Sequence, residues 1–124
     1  MAELEDLERA KGLIRSARDL FKMKDYVGVA GLAYQAFESA TMGLLEKRNG
    51  KDKKTHYQRR QRVKEILTEY SSKIDELWDV RNVDFYGNSR IGEKKRDLTE
   101  EEIEDSLSEV EYIIEEIEGI LDEE

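Results

Sequence analysis

The apolar residues of this chain recur mainly at steps of three and four positions, the spacing that places side chains on one face of an α-helix. Stretches with this spacing predict five helices, over residues 2–23, 25–49, 55–70, 72–86 and 100–122. Asp25, Ser71 or Ser72, and Thr99 stand where N-caps are expected, and Glu102 completes a capping box with Thr99. We therefore expect an all-α fold. Four long helices should form an up-and-down antiparallel bundle to which the third helix is a short addition.

The second predicted helix carries the broadest apolar face and should lie at the centre of the bundle. This region also contains Gly28, Gly31 and Gly43, and a glycine inside a helix costs ~1 kcal/mol. Close approach of another helix, from the same chain or from a second copy, would offset that cost. With 124 residues, the chain should form one domain over residues 1–124, with Phe37 and Trp78 substantially buried.

Composition excludes several kinds of site. The chain has no cysteine and one histidine, so no thiolate metal site, disulfide framework or cysteine nucleophile can form. We expect no metal and no cofactor. The lack of cysteine and of a long apolar run favours a cytoplasmic protein without a signal peptide or a membrane contact.

Charge is distributed unevenly along the chain, although the net charge is −9. Residues 99–124 carry thirteen acidic side chains and no basic one, whereas residues 47–62 carry eight basic side chains and one acidic one. Such a basic segment is more often a solvated face, or a surface that pairs with the acidic helix, than a nucleic-acid contact, but it keeps a nucleic-acid site open. Its candidate contact residues are Lys53, Lys54, His56, Arg59 and Arg60, with Tyr57 as a stacking surface.

Arg81 interrupts the apolar face of the fourth predicted helix. It follows Ile74 by seven positions and Trp78 by three, and Phe85 follows it by four. Arg81 therefore projects from a stripe whose apolar members should face the core. A buried guanidinium needs a partner, and Glu38 on the second helix is the carboxylate best placed for a bidentate pair. The alternative is an arginine that reaches the surface or forms a purely internal salt bridge.

Several short segments of the chain say little about its family one by one, but their order along the chain is informative. They are residues 34–40 (YQAFESA), 44–46 (LLE), 55–57 (THY) and 80–87 (VRNVDFYG), followed by the acidic last helix. In this order they resemble the HEPN domain family over nearly the whole chain. The resemblance implies a helical domain that pairs with a second copy.

The same resemblance bears on function. Many HEPN proteins are metal-independent ribonucleases in which an arginine, a polar residue and a later histidine from each subunit face each other across a homodimer. Arg81 and Asn82 match the first two positions, but Tyr86 stands where the histidine would be. A tyrosine with pKa ~10 is a poor general base.

The resemblance therefore implies a homodimeric binding module, as found in toxin–antitoxin-type systems. It would contact a nucleotide, RNA or a minimal nucleotidyltransferase partner through Arg81, Asn82, Tyr86 and Glu38. Two alternatives stay open: a metal-independent ribonuclease that uses Tyr86 or His56 as its base, and a helical adaptor without a ligand.

Overall fold

A computed structural model describes residues 2–49 and 55–123. Within these ranges the chain forms helices and no strand: α1 (Ala2–Lys22), α2 (Val29–Asn49), α3 (His56–Ile66), α4 (Ser71–Tyr86) and α5 (Glu100–Glu123). A single 3₁₀ turn, Thr68–Tyr70, joins α3 to α4. The predicted all-α class is confirmed, whereas the up-and-down antiparallel order and the dimer stay predictions. None of the helices in these ranges has the length and apolarity that a bilayer span requires.

Helix α2 lies at the centre of the domain, as its apolar width predicts. It packs against each of the other four helices. Phe37 in its buried face is 2% exposed and belongs to one buried cluster together with aliphatic residues of α5. Trp78 on α4 is partly buried and packs against the core, which agrees with the predicted burial. The core is therefore built around α2, and every other helix is positioned relative to it.

The start of α2 differs from the prediction, because the helix begins at Val29 and not after Asp25. Helix α1 ends with Lys24 in the left-handed conformation, at φ 62°. The Lys24 N–H donates to Phe21 O and the Asp25 N–H to Leu20 O, both at 3.0 Å. This is the hydrogen-bond pattern of a Schellman motif, so Asp25 belongs to the end of α1.

The N-terminus of α2 is capped by a residue from another helix. The Asp84 carboxylate on α4 accepts hydrogen bonds from Gly28 N at 3.1 Å and from Gly31 N at 2.8 Å. These donors have no partner within the helix, and a negative charge also complements the helix dipole at this end. The first turn of α2 has no acidic residue of its own. Asp84 therefore ties the end of α4 to the start of α2.

Close packing accompanies this cap. A β-carbon added to Gly31 would lie 2.2 Å from Phe85 Cε1, so only glycine allows the Phe85 ring to rest on the first turn of α2. Phe85 is 43% exposed, although its spacing predicts a core position. The glycine that costs helix propensity at this position is therefore explained by packing within the chain.

The third predicted helix is two elements. The α-helix stops at Ile66, the backbone of buried Leu67 leaves helical geometry at φ −105° and ψ 61°, and the 3₁₀ turn follows. The expected cap by Ser71 or Ser72 is wrong, because Tyr70 precedes α4 and no side chain caps it. The 3₁₀ turn carries the chain directly into α4, since the Ser71 N–H donates to Thr68 O. Helical spacing alone does not reveal this break.

The end of α4 and the start of α5 agree with the local sequence signals, unlike the start of α4. Gly87 ends α4 at φ 81°, and its N–H donates to Val83 O at 2.8 Å. The Thr99 capping box is confirmed: Glu102 N donates to Thr99 Oγ1 at 3.1 Å, and Thr99 N donates to Glu102 Oε1 at 3.0 Å. Both features depend on residues that are close in the sequence.

We expect Asp84→Ala to lower the free energy of unfolding by about 1–2 kcal/mol, because two N–H groups of α2 lose their acceptor. Asp79→Ala is the matched control, since Asp79 is an exposed carboxylate on the same helix, and it should change stability by less than about 0.5 kcal/mol. Urea unfolding followed by circular dichroism measures both. Equal losses in the two variants would show that the cap does not stabilise the fold.

Candidate functional site

The last two turns of α4 bring together three residues that the sequence singles out, Arg81, Asn82 and Tyr86. Arg81 Nη1 donates a hydrogen bond to Asn82 Oδ1 at 2.8 Å. The Arg81 Cζ atom lies 4.6 Å from the centroid of the Phe85 ring, 4.8 Å from that of Trp78 and 5.8 Å from that of Tyr86. These distances are in the range of cation–π contacts. The guanidinium is therefore fixed by aromatic rings and an amide.

A surface depression of about 510 Å³ lies beside this guanidinium. Helix α4 and the following loop both line it, through Trp78, Arg81, Asn82, Tyr86, Asn88, Ser89, Arg90 and Ile91. The lining combines two arginines, neutral hydrogen-bonding groups and aromatic rings. Its size is within the usual range for small-molecule sites.

A second arginine reaches the same tryptophan from α3. The Arg60 Cζ atom lies 4.3 Å from the Trp78 ring centroid and 5.6 Å from the Tyr57 ring centroid. Arg60 Nε is buried and has no hydrogen-bond partner in the part of the chain that the structure describes. The sequence suggests Arg60 only as a member of the basic segment. Its approach to Trp78 and Arg81 depends on how α3 packs against α4.

Tyr34 supports this cluster from α2. Its ring centroid is 5.5 Å from that of Trp78 and 5.3 Å from that of Phe37. Burial raises the pKa of Tyr34 to about 12, although a hydrogen bond from Arg60 and the positive charges of Arg60 and Arg81 act in the opposite direction. Tyr34 is therefore a neutral packing residue at physiological pH.

Glu38 lies on α2 one turn after Tyr34, and its charge contributes to the raised pKa of Tyr34. Glu38 is thus near the cluster, and its expected pair with Arg81 stays a prediction. Arg59 on α3 is partly buried. Lys53, Lys54 and the side chain of His56 lie outside the described residues.

Two site residues were predicted as core residues, namely Trp78 and Phe85. Spacing along α4 places them on the inner stripe, but Trp78 also lines the depression, and Phe85 is exposed beside Arg81. Gly31 is the feature of the sequence that could have predicted the position of Phe85, because the lack of a side chain at Gly31 leaves room for the ring. Across residues 2–49 and 55–123, no group of three His, Cys, Asp or Glu side chains is arranged to hold a metal ion.

Fold and site together define a small all-helical domain with an arginine-centred, aromatic-lined surface at the end of α4. The model of the HEPN domain family matches residues 4–120, so the chain belongs to this family. The resemblance seen in the sequence is confirmed, and it places the chain among nucleotide-binding and ribonuclease-like modules. Comparisons with curated proteins and with solved structures gave no significant match.

The raised pKa of Tyr34 predicts a specific loss of stability in alkali. A tyrosine in the unfolded chain has a pKa of about 10, so folding favours the protonated form of Tyr34. This preference contributes fully to the free energy of unfolding below about pH 10. Between pH 10 and pH 12 the unfolded state loses its proton first, and the wild type should lose up to about 2 kcal/mol more than Tyr34→Phe. Urea unfolding at several pH values measures the difference. Parallel stability curves for the two proteins would contradict the raised pKa.

Proposed function

We propose that this chain is a HEPN module that binds a nucleotide or single-stranded RNA at Arg81, with little or no ribonuclease activity. The observation that supports this best is the position of Arg81, whose guanidinium is oriented by Asn82 and three aromatic rings beside a depression of about 510 Å³. Such an arrangement suits a ligand that has both a phosphate and a base.

Arginine suits the phosphate because its planar guanidinium offers five N–H donors in a fixed fork. The bond to Asn82 uses one of them and fixes the orientation of the group. The other N–H groups can then donate to phosphate oxygens without the entropic cost of ordering a free side chain. Arg90, which lines the same depression, would add a second positive charge.

Tyr86 suits the base, because its ring is 59% exposed at the rim of the depression. Stacking of a base on an exposed aromatic ring contributes ~1–3 kcal/mol and tolerates any base. The same side chain is a poor replacement for the motif histidine, since a phenol does not take up a proton readily at neutral pH. Binding without rapid cleavage follows from this combination.

We also propose that the rim of this site contacts a second copy of the chain. Exposed Tyr86 and Ile91 line the depression, and exposed Phe85 lies beside Tyr86. Exposed apolar side chains grouped in this way commonly mark a protein interface. In a homodimer, two Arg81 sites would lie close together. A nucleotidyltransferase partner would use the remaining surface.

The test combines binding and cleavage of one labelled single-stranded RNA in the presence of a chelator. We expect the wild type to bind, Arg81→Ala to bind at least about tenfold more weakly, and Arg15→Ala to bind like the wild type. Arg15 is the matched control because it is an exposed arginine on α1. Fluorescence anisotropy measures the affinities.

Cleavage is measured on the same RNA by gel electrophoresis. The wild type should remain near background, and Tyr86→His should raise cleavage by about 10²-fold, because general acid–base catalysis contributes ~10²–10⁴-fold. Adding Arg81→Ala to Tyr86→His should remove this gain. Strong wild-type cleavage that is lost in Tyr86→Phe would contradict the proposal and indicate a tyrosine base. Absence of RNA binding by the wild type would favour an adaptor without a ligand.

A further inference from the structure

We propose that the binding site does not end at Arg81 but continues along a strip to α3, so that its ligand is a single-stranded oligonucleotide and not a mononucleotide. The strip consists of Tyr57, Arg60, Trp78, Arg81 and Tyr86. This proposal rests on the proposed function and specifies the class of ligand that the same site takes.

The strip is continuous because four successive contacts join a ring to a guanidinium. Measured from Cζ to ring centroid, they are Tyr57–Arg60 at 5.6 Å, Arg60–Trp78 at 4.3 Å, Trp78–Arg81 at 4.8 Å and Arg81–Tyr86 at 5.8 Å. Aromatic and cationic groups therefore alternate along the whole strip. A nucleic-acid single strand alternates bases and phosphates in the same way.

The two ends of the strip are the exposed parts. Tyr57 is 62% exposed and Tyr86 is 59% exposed, whereas Trp78 between the two arginines is partly buried. A mononucleotide has one base and can stack at only one end. An oligonucleotide can stack bases at both ends and place phosphates near both guanidinium groups. A mononucleotide bound at Tyr86 would leave Tyr57 without a base, so the presence of both exposed tyrosines favours an oligonucleotide.

The distribution of charge between α3 and α5 also favours binding of an oligonucleotide along the strip. Helix α3 packs against α2 and α4, whereas the acidic helix α5 packs against α1, α2 and α4. Glu65 is the only acidic residue among the eleven of α3, which also contains Arg59, Arg60, Arg62 and Lys64. A polyanion is attracted to the side of α4 that faces α3 and repelled by the side that faces α5.

Tyr57→Ala tests the distal end without altering Arg81. Isothermal titration calorimetry measures the affinity of the full chain for uridine monophosphate and for octauridylate. We expect the wild type to bind the octamer at least about tenfold more tightly than the monophosphate. Tyr57→Ala should weaken octamer binding by about 5- to 100-fold and leave monophosphate binding within about twofold. Tyr57→Phe should bind the octamer like the wild type, because the ring is kept.

Tyr112→Ala is the matched control, since Tyr112 on α5 is 61% exposed and lies outside the strip. Thermal unfolding by circular dichroism establishes that each variant is folded. The proposal is overturned if Tyr57→Ala affects octamer binding no more than Tyr112→Ala, or weakens both ligands equally. If Arg81→Ala still weakens both ligands in that case, the proposed function stands and only the extension fails. If the wild type binds neither ligand, both fail.

Discussion

The cap that Asp84 forms on α2 is the interaction on which the rest of the structure depends, because it joins the buried centre of the fold to the end that carries the site. Its carboxylate accepts from the N–H of Gly28, just before α2, and from that of Gly31 in the first turn of α2. Phe85, the next residue, rests on Gly31, and Arg81 stands one turn earlier against the Phe85 ring. Helix α4 ends immediately afterwards at Gly87. The contacts of Asp84 and Phe85 with the start of α2 therefore hold the last turn of α4 in place. The orientation of the candidate site is thus fixed by the core.

The distribution of charge explains how an acidic protein can present a cationic site. Much of the negative charge belongs to α5, and cations of α1 pair with part of it. Arg18 donates to Glu104 and to Glu111, and Lys11 donates to Glu118. The hydrogen bond to Glu111 raises the pKa of the Arg18 guanidinium. These contacts neutralise part of the negative charge of α5 on the side that faces α1, whereas the arginines of α3 and α4 lie beside aromatic rings.

The sequence predicts those features that depend on neighbouring residues. Arg81, Asn82 and Tyr86 are found together because they lie within six positions of one helix, and Thr99 caps α5 through a residue three positions away. The start of α2 could not be predicted in this way, since its cap comes from Asp84, 53 residues beyond Gly31. Arg60 joins the site through packing between helices, which periodicity within a single helix does not encode.

Trp78 allows the central claim, that the arginine cluster is a ligand site, to be measured directly. It is the only tryptophan in the chain, and both Arg60 and Arg81 contact its ring. A ligand phosphate that draws either guanidinium towards itself must change the surroundings of the indole. Titration of the wild type with octauridylate should therefore produce a saturable change in tryptophan emission, and Arg81→Ala should reduce or abolish it at the same RNA concentrations. An unchanged emission while RNA is bound, or an equal change in a folded Arg81→Ala protein, would contradict binding at this cluster.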